Sequence, residues 1–231
     1  MSWRINSRRW FALGVISFAG CCTHAFSQNR FSDFPNFKMI RGEVDLEGLP
    51  TSGAKLCLLK PAGICFRMPS RKINPSDSAV YEFGLHPRSE RLPLSGGGSF
   101  IFFSSQFAGG GSGTLDSLAI LRYEADGKIV DLTPFIGVTN QSDRAVWQIA
   151  EASKFPILVT ADFYWMDGET HFADHFYTVT AYRFDAEKDR YFEAFSYRTS
   201  NKYPGLDKVN QVHVLGSERA EILRRLEAAK R

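Results

Sequence analysis

The chain has 231 residues with 28 Lys and Arg against 25 Asp and Glu, which gives a formal net charge of +3. Arg4, Arg8 and Arg9 account for the whole excess, so removal of the N-terminal segment would leave a neutral chain. Net charge therefore gives no reason to expect a nucleic-acid or acidic-membrane partner, and no zinc-finger, helix-turn-helix or RNA-binding motif is present.

Residues 1–25 have the pattern of an export signal. The three arginines precede the apolar run Trp10–Gly20, and Thr23-His24-Ala25 places small residues before a cleavage site. The apolar run is shorter than the about 20 residues that a membrane-spanning helix needs, and no later run is long enough. We predict a cleaved leader, no transmembrane span and an exported protein, either periplasmic or secreted.

Two features leave the export route open. Ser7–Phe11 resembles the twin-arginine signal of bacteria, although Ala12 and Leu13 stand where that signal continues with Leu and Lys. Ordinary unfolded export, with the arginines as a positive n-region, is the alternative. Phe18–Cys21 resembles a lipoprotein box, and its processing would turn Cys21 into a lipidated N-terminus tethered to a membrane.

The chain after the leader divides by composition. Residues 26–38 are polar with scattered Phe and no period, which predicts a linker or an arm on the surface. Residues 39–95 are predicted to form an N-terminal β subdomain, and the Gly-rich stretch Ser95–Ser99 marks a boundary before a second unit at 98–231. Because the first segment is marginal in size alone, one continuous domain over 39–231 is the alternative.

The strand, turn, strand pattern of residues 39–59 has regularly placed turn residues. This pattern is similar to the opening strands of carboxypeptidase-regulatory-like β-sandwich modules, and the matching residues are Gly42, Val44, Gly48, Pro50, Gly53, Ala54 and Leu56. The resemblance covers only these two strands. It implies a sandwich and a role as a module, and it implies no catalytic residue.

Cys57 and Cys65 are the two cysteines that remain after the leader. They flank the turn signal Lys60–Gly63, so they can lie opposite each other across a hairpin. Export places them where a disulfide forms and persists, and we predict a structural bridge between them. A redox-active pair is the alternative, but such pairs usually have C-x-x-C spacing at a helix start.

The middle of the chain contains a glycine-rich loop, Gly109–Thr114, after the apolar strand Ser99–Phe107. A phosphate-binding loop would open a helix and carry a following Lys, but here an alternating, strand-like segment follows. We predict a flexible loop or a close backbone crossing. Further on, Asp126-Gly127 lies between two strand-like runs and predicts a hairpin.

Three aromatic strand-like segments dominate residues 155–199. Twelve Phe, Tyr and Trp fall between Phe163 and Tyr197, and apolar residues alternate with period two. Aromatic and β-branched side chains fit a pleated, half-buried surface, so the segments predict an antiparallel meander with a hairpin at Asp167-Gly168. A last strand at Val209–Leu215 and a helix capped by Ser217 are predicted to follow.

The pattern as a whole predicts a mainly β fold: an antiparallel β-sandwich or two packed antiparallel sheets with one C-terminal α-helix. We predict no catalytic residue and no cofactor, and a non-catalytic binding or scaffolding role in the envelope or outside the cell. The predicted partner is a glycan or an envelope protein. The candidate ligand-binding residues lie at the end of the aromatic segments, where rings and hydrogen-bond donors combine: Tyr197, Arg198, Asn201, Lys202 and Tyr203.

Two alternatives use other parts of the chain. A metal-dependent hydrolase would be centred on His171 and His175, with Asp167 and Glu169 as further ligands, because imidazoles and carboxylates bind zinc. Two strand residues four apart lie about 13 Å apart, however, so the loop would have to curl to bring the imidazoles together. An inhibitor or accessory subunit of an exported enzyme would instead use the glycine-rich loop or the disulfide hairpin.

Overall fold

The computed structural model describes residues 31–73, 78–108, 114–140, 143–149, 153–170, 172–204 and 214–229. Within these residues, twelve strands form three antiparallel sheets, and one helix follows them. The predicted mainly β class with a C-terminal helix is therefore confirmed. The predicted leader with Cys21, residues 109–113 of the glycine-rich loop, and His171 lie outside the described residues.

The N-terminal sheet has three strands in the order β1-β2-β3: β1 (Phe37–Ile40), β2 (Lys55–Leu58) and β3 (Cys65–Arg67). Cys57 and Cys65 are direct partners in the β2–β3 register and form a disulfide, as predicted from their spacing around the turn. The bridge joins the two strands on the face that points away from the core, because Leu56 and Phe66 pack inward.

The central sheet has five strands: β4 (Leu85–Pro93), β5 (Ser99–Ala108), β6 (Thr114–Tyr123), β7 (Ile129–Asp131) and β8 (Thr139–Asn140). The first four pair in chain order, and β8 pairs with β6. β5 is apolar without alternation because both of its faces are covered: Phe100 and Phe102 lie in one buried cluster, Ile101 and Phe103 in another. The Asp126-Gly127 hairpin joins β6 to β7 as predicted.

The Gly-rich stretch at 95–99 is a hairpin turn between two paired strands. Leu94 N–H donates to Gly98 C=O at 3.0 Å, and β4 and β5 are neighbours in one sheet. Gly98 has φ +83°, and a Cβ there would lie 2.4 Å from the Phe31 carbonyl oxygen, so only glycine fits. One buried cluster contains residues from both sides of this turn, among them Leu56 and Phe83 before it and Ile101 and Phe103 after it.

The aromatic sheet has four strands in the order β12-β11-β10-β9: β9 (Asp143–Trp147), β10 (Ile157–Tyr164), β11 (Phe176–Asp185) and β12 (Arg190–Arg198). Its last three strands are the predicted meander. The β10–β11 connection, however, is a loop over 165–175 rather than a tight hairpin at Asp167-Gly168. The helix α1 (Val214–Ala228) starts before Ser217, so Val214 and Leu215 belong to the helix and not to a last strand.

The sheets and the helix stack in four layers. One face of β10 packs on α1 through Ile157, Val159 and Phe163, while Leu158 on the other face packs on the central sheet. The second face of the central sheet packs on the N-terminal sheet. The predicted sandwich thus has one sheet more than expected, and the central sheet is buried between the other two.

Two ion pairs join the aromatic and central sheets, one on each side of their shared apolar cluster. Arg122 bonds to Asp189 in the β11–β12 turn, and Arg144 on β9 bonds to Asp116 on β6 at 2.9 Å. Arg122 and Asp116 lie six positions apart on β6 and therefore share one face. The Arg144–Asp116 pair is the more buried, with its side chains 15% and 7% exposed.

The segment before β1 is anchored, in contrast to the surface arm predicted for 26–38. Phe34 is 2% exposed in the cluster under the N-terminal sheet, and the Phe31 ring lies 5.4 Å from that of Phe100. Phe34 and Phe37 thus pack with the cluster under the N-terminal sheet, and Phe31 packs against the cluster between the central and aromatic sheets, which a periodic pattern cannot show. In the described part of the chain, no helix combines the length and apolar character needed to cross a bilayer.

Candidate functional site

Glu169 organises the loop that joins β10 to β11. Its Oε1 accepts a hydrogen bond from Lys202 Nζ at 2.6 Å, and its Oε2 accepts from the Met166 N–H and from His175 Nδ1, both at 3.1 Å. The bond from Lys202 lowers the pKa of the Glu169 carboxyl below its ordinary value. An ionised carboxylate only accepts hydrogen bonds, so Nδ1 of His175 carries the proton.

His175 is buried beside this carboxylate, at 1% exposure. Its ring lies 4.6 Å from that of Phe163 and 4.9 Å from that of Trp165. Nε2 is buried and has no hydrogen-bond partner among the described residues. A carboxylate on one ring nitrogen is the arrangement that orients many metal-binding histidines, but Nε2 here faces no described ligand.

The zinc hypothesis stays a prediction. Glu169 and His175 come together, but through a direct hydrogen bond, and Asp167 is exposed in the turn. Among the described residues, no three His, Cys, Asp or Glu form a group that could hold a metal ion. The remaining predicted ligand, His171, is outside the described part of the chain.

Tyr197 and Tyr203, two of the predicted ligand-binding residues, connect the aromatic sheet to α1. The Tyr197 hydroxyl donates to Glu218 Oε2 at 2.9 Å, and the Tyr203 hydroxyl donates to Oε1 of the same carboxylate at 2.6 Å. The Arg225 guanidinium lies 4.2 Å from the centre of the Tyr197 ring. Both hydroxyls are therefore occupied by the helix.

This cluster predicts a loss of stability at alkaline pH. Burial, together with the bond to Glu218, raises the pKa of both Tyr197 and Tyr203 above its ordinary value. A raised folded-state pKa means that the stabilisation is complete below the unfolded pKa of about 10 and is lost as pH rises beyond it. Denaturant unfolding measured across this range should show the decline, and Tyr197→Phe with Tyr203→Phe should make it shallower. An equal decline in that double variant would contradict the assignment.

Large apolar side chains are exposed beside Glu169, where β10 ends. Tyr164, Trp165, Met166 and Phe172 are 39%, 42%, 45% and 51% exposed. Arg198 lies 5.0 Å from the Tyr164 ring centre, and its described neighbours include no ion-pair partner. Phe176 pairs with Tyr164 across the strands, and Arg198 and Lys202 each lie 5.3 Å from its ring centre. We call the following residues the aromatic patch: Tyr164, Trp165, Met166, Phe172, Phe176, Arg198 and Lys202.

The structure thus separates the five predicted ligand-binding residues. Arg198 and Lys202 belong to the aromatic patch, and Tyr197 and Tyr203 bond to the helix. Asn201 is exposed, and its carbonyl accepts a bond from Thr199. Sequence reasoning missed the exposed residues at 164–172, although their position around an Asp-Gly turn could have marked them as solvent-facing.

Comparison with known proteins adds one distant likeness. No protein-family model matches the sequence, and no curated protein sequence matches it significantly. A solved structure described as the crystal structure of CarG is 18% identical, with a TM-score of 0.38; the match covers 54% of this chain and 89% of that one.

Proposed function

We propose that this protein is an exported, non-catalytic binding module that holds a partner protein of the cell envelope through the aromatic patch. The observation that carries the proposal is the exposure of Tyr164, Trp165, Met166 and Phe172 within nine residues, beside Arg198. Monomeric proteins seldom expose several large apolar side chains around one loop unless these contact a partner. The aromatic patch therefore has the character of a surface that binds a partner.

The composition of the aromatic patch favours a protein partner. The residue types enriched at protein interfaces are Tyr, Trp, Phe, Met and Arg. The largest losses of binding energy on truncation to Ala are found most often at Trp, Tyr and Arg. Hydroxyl- and amide-rich surfaces would suit a glycan better. Met166 and Phe172 add apolar surface without hydrogen-bond donors or acceptors, which the apolar side chains of a protein partner can cover.

The aromatic patch is also held in place before binding. The Trp165 ring packs against Phe163 and His175, and Glu169 fixes the backbone N–H of Met166. Side chains that are already ordered lose less conformational entropy on association. A rigid patch can therefore convert more of its buried area into affinity.

Export is the second part of the proposal. The leader pattern at residues 1–25 and the disulfide between Cys57 and Cys65 support it, because disulfides persist in oxidising compartments. A periplasmic or secreted location follows. Cleavage after Ala25 or lipidation at Cys21 would distinguish a free protein from a tethered one.

Site-specific photo-crosslinking in intact cells tests the patch. A photoreactive phenylalanine at position 165 or 172 is expected to give the same discrete protein adduct, and Arg198→Ala should weaken that adduct. Phe135 provides a matched control, since it is 50% exposed and lies outside the aromatic patch. The proposal would be contradicted if the same adduct formed equally from position 135, or if no adduct formed from either patch position. Binding to a purified cell-wall glycan that Trp165→Ala abolishes would also contradict it.

A further inference from the structure

The outer face of the N-terminal sheet carries three cations in adjacent positions. Lys55 on β2 is the direct partner of Arg67 on β3, and Lys38 on β1 lies one row further along. Phe37, Leu56 and Phe66 pack toward the central sheet, so Lys38, Lys55 and Arg67 point the other way. We call Lys38, Lys55, Arg67 and the nearby Ile40 the basic face.

None of the three cations makes an ion pair with a described residue. Like charges directly opposite on neighbouring strands destabilise a sheet, so the Lys55–Arg67 pair costs stability in the isolated protein. A partner with negative charge would remove that cost. The arrangement is therefore complementary to an anionic surface.

The net charge of the whole chain does not show that basic and acidic residues are unevenly distributed along it. Residues 31–73 carry seven Lys and Arg against four Asp and Glu, whereas residues 78–231 carry 17 against 20. The first described segment is thus basic and the remainder acidic. Because of this distribution, an anionic surface would attract the N-terminal sheet and repel the opposite side of the protein.

Exposed aliphatic side chains accompany the cations. Ile40 lies in the same row as Lys55 and Arg67 and is 39% exposed, and Leu59, directly after β2, is 50% exposed. Cations combined with exposed apolar side chains are typical of surfaces that rest on a lipid bilayer, where the charges meet headgroups and the apolar groups enter the acyl boundary.

We infer that the basic face docks on an anionic lipid surface. The contact is independent of the aromatic patch, which lies on a different sheet. Cys57 and Cys65 form their bridge between the strands that hold Lys55 and Arg67, so the disulfide fixes the spacing of these cations.

Co-sedimentation of the purified exported protein with vesicles tests this inference. The protein carries Cys21→Ser so that no acyl chain contributes, and the vesicles contain phosphatidylcholine alone or with phosphatidylglycerol. Binding is expected only to the vesicles with phosphatidylglycerol, and it should weaken as salt rises from about 0.1 M to about 1 M. Lys55→Gln and Arg67→Gln should each reduce the affinity about fivefold.

The double variant Lys128→Gln with Lys188→Gln is the matched control, because it removes two exposed cations elsewhere and leaves the same net charge. Equal losses in the control and in Lys55→Gln with Arg67→Gln would overturn the inference. The inference would also be overturned by equal binding to both kinds of vesicle, by no binding to either, or by binding to a soluble anionic polysaccharide alone. Thermal unfolding at low salt should show Lys55→Gln to be no less stable than the parent.

Discussion

Replacing Phe103 by Ala is expected to lower the free energy of unfolding by about 3–5 kcal/mol. Phe103 is fully buried on β5, and its ring lies 6.1 Å from that of Phe66 on the N-terminal sheet. The substitution removes a ring from between two sheets whose backbones are fixed by their own ladders, so the cavity cannot collapse fully. Urea denaturation should show a lower midpoint with an unchanged m value.

Phe135→Ala is the control for this prediction, because it makes the same chemical change at a ring that is 50% exposed. Its effect should stay within about 0.5 kcal/mol. A loss below about 1 kcal/mol for Phe103→Ala would mean that the N-terminal and central sheets separate easily, and that the layer between them is not a close-packed core.

Removal of the Asp116 carboxylate is expected to lower the free energy of unfolding by a similar amount, about 3–5 kcal/mol, for a different reason. Asp116→Ala leaves the Arg144 guanidinium between two sheets without its partner, and among the described residues Ser104 Oγ, at 3.3 Å, is the hydrogen-bond acceptor that remains. A largely buried charge is costly to leave uncompensated. Equilibrium unfolding at neutral pH measures the loss.

The double variant Asp116→Ala with Arg144→Met should recover most of that stability. Asp116 Oδ1 is already buried without a described partner, so the native pair does not satisfy all of its groups. Exchanging both members of such a pair for apolar residues is often neutral or stabilising. Asp126→Ala, which breaks an exposed pair with Lys128, should change little. A double variant as unstable as Asp116→Ala would show that Arg144 contributes nothing to the cost.

Local patterns predicted the elements of this fold well. The aromatic strands alternate because each has a buried face, and their polar interruptions correspond to turns. Cys57 and Cys65 could be paired from sequence because only one turn separates them. The apolar run Ser99–Phe107 predicted a strand, and its continuous apolar centre corresponds in the structure to burial on both faces of β5.

Contacts between distant segments could not be predicted in this way. Glu218 meets Tyr197 and Tyr203 through the docking of a helix, and no spacing within the aromatic strands shows that encounter. Glu169 likewise reaches Lys202 across 33 positions of chain, a contact that the Asp-Gly pattern of this loop does not show. The sequence pattern predicts ligand contacts at the two tyrosines, and it contains no sign of Glu218 as their hydrogen-bond partner.

The net charge of the whole chain does not show how its charges are distributed over the surface. A neutral mature chain gave no reason to expect an anionic surface as a partner, yet the register of β1, β2 and β3 collects Lys38, Lys55 and Arg67 on one face. Electrostatic potential depends on where charges lie, and strand register decides this for a sheet.

The stacking of three sheets also sets a distance. Packed sheets lie about 10 Å apart, so the central sheet separates the aromatic sheet from the N-terminal sheet by about 20 Å in total. A partner protein bound at Trp165 would be held about 20 Å farther from a bilayer that contacts Lys55 than the N-terminal sheet is. The chain would then serve as a rigid spacer whose length is built into its core rather than into a linker.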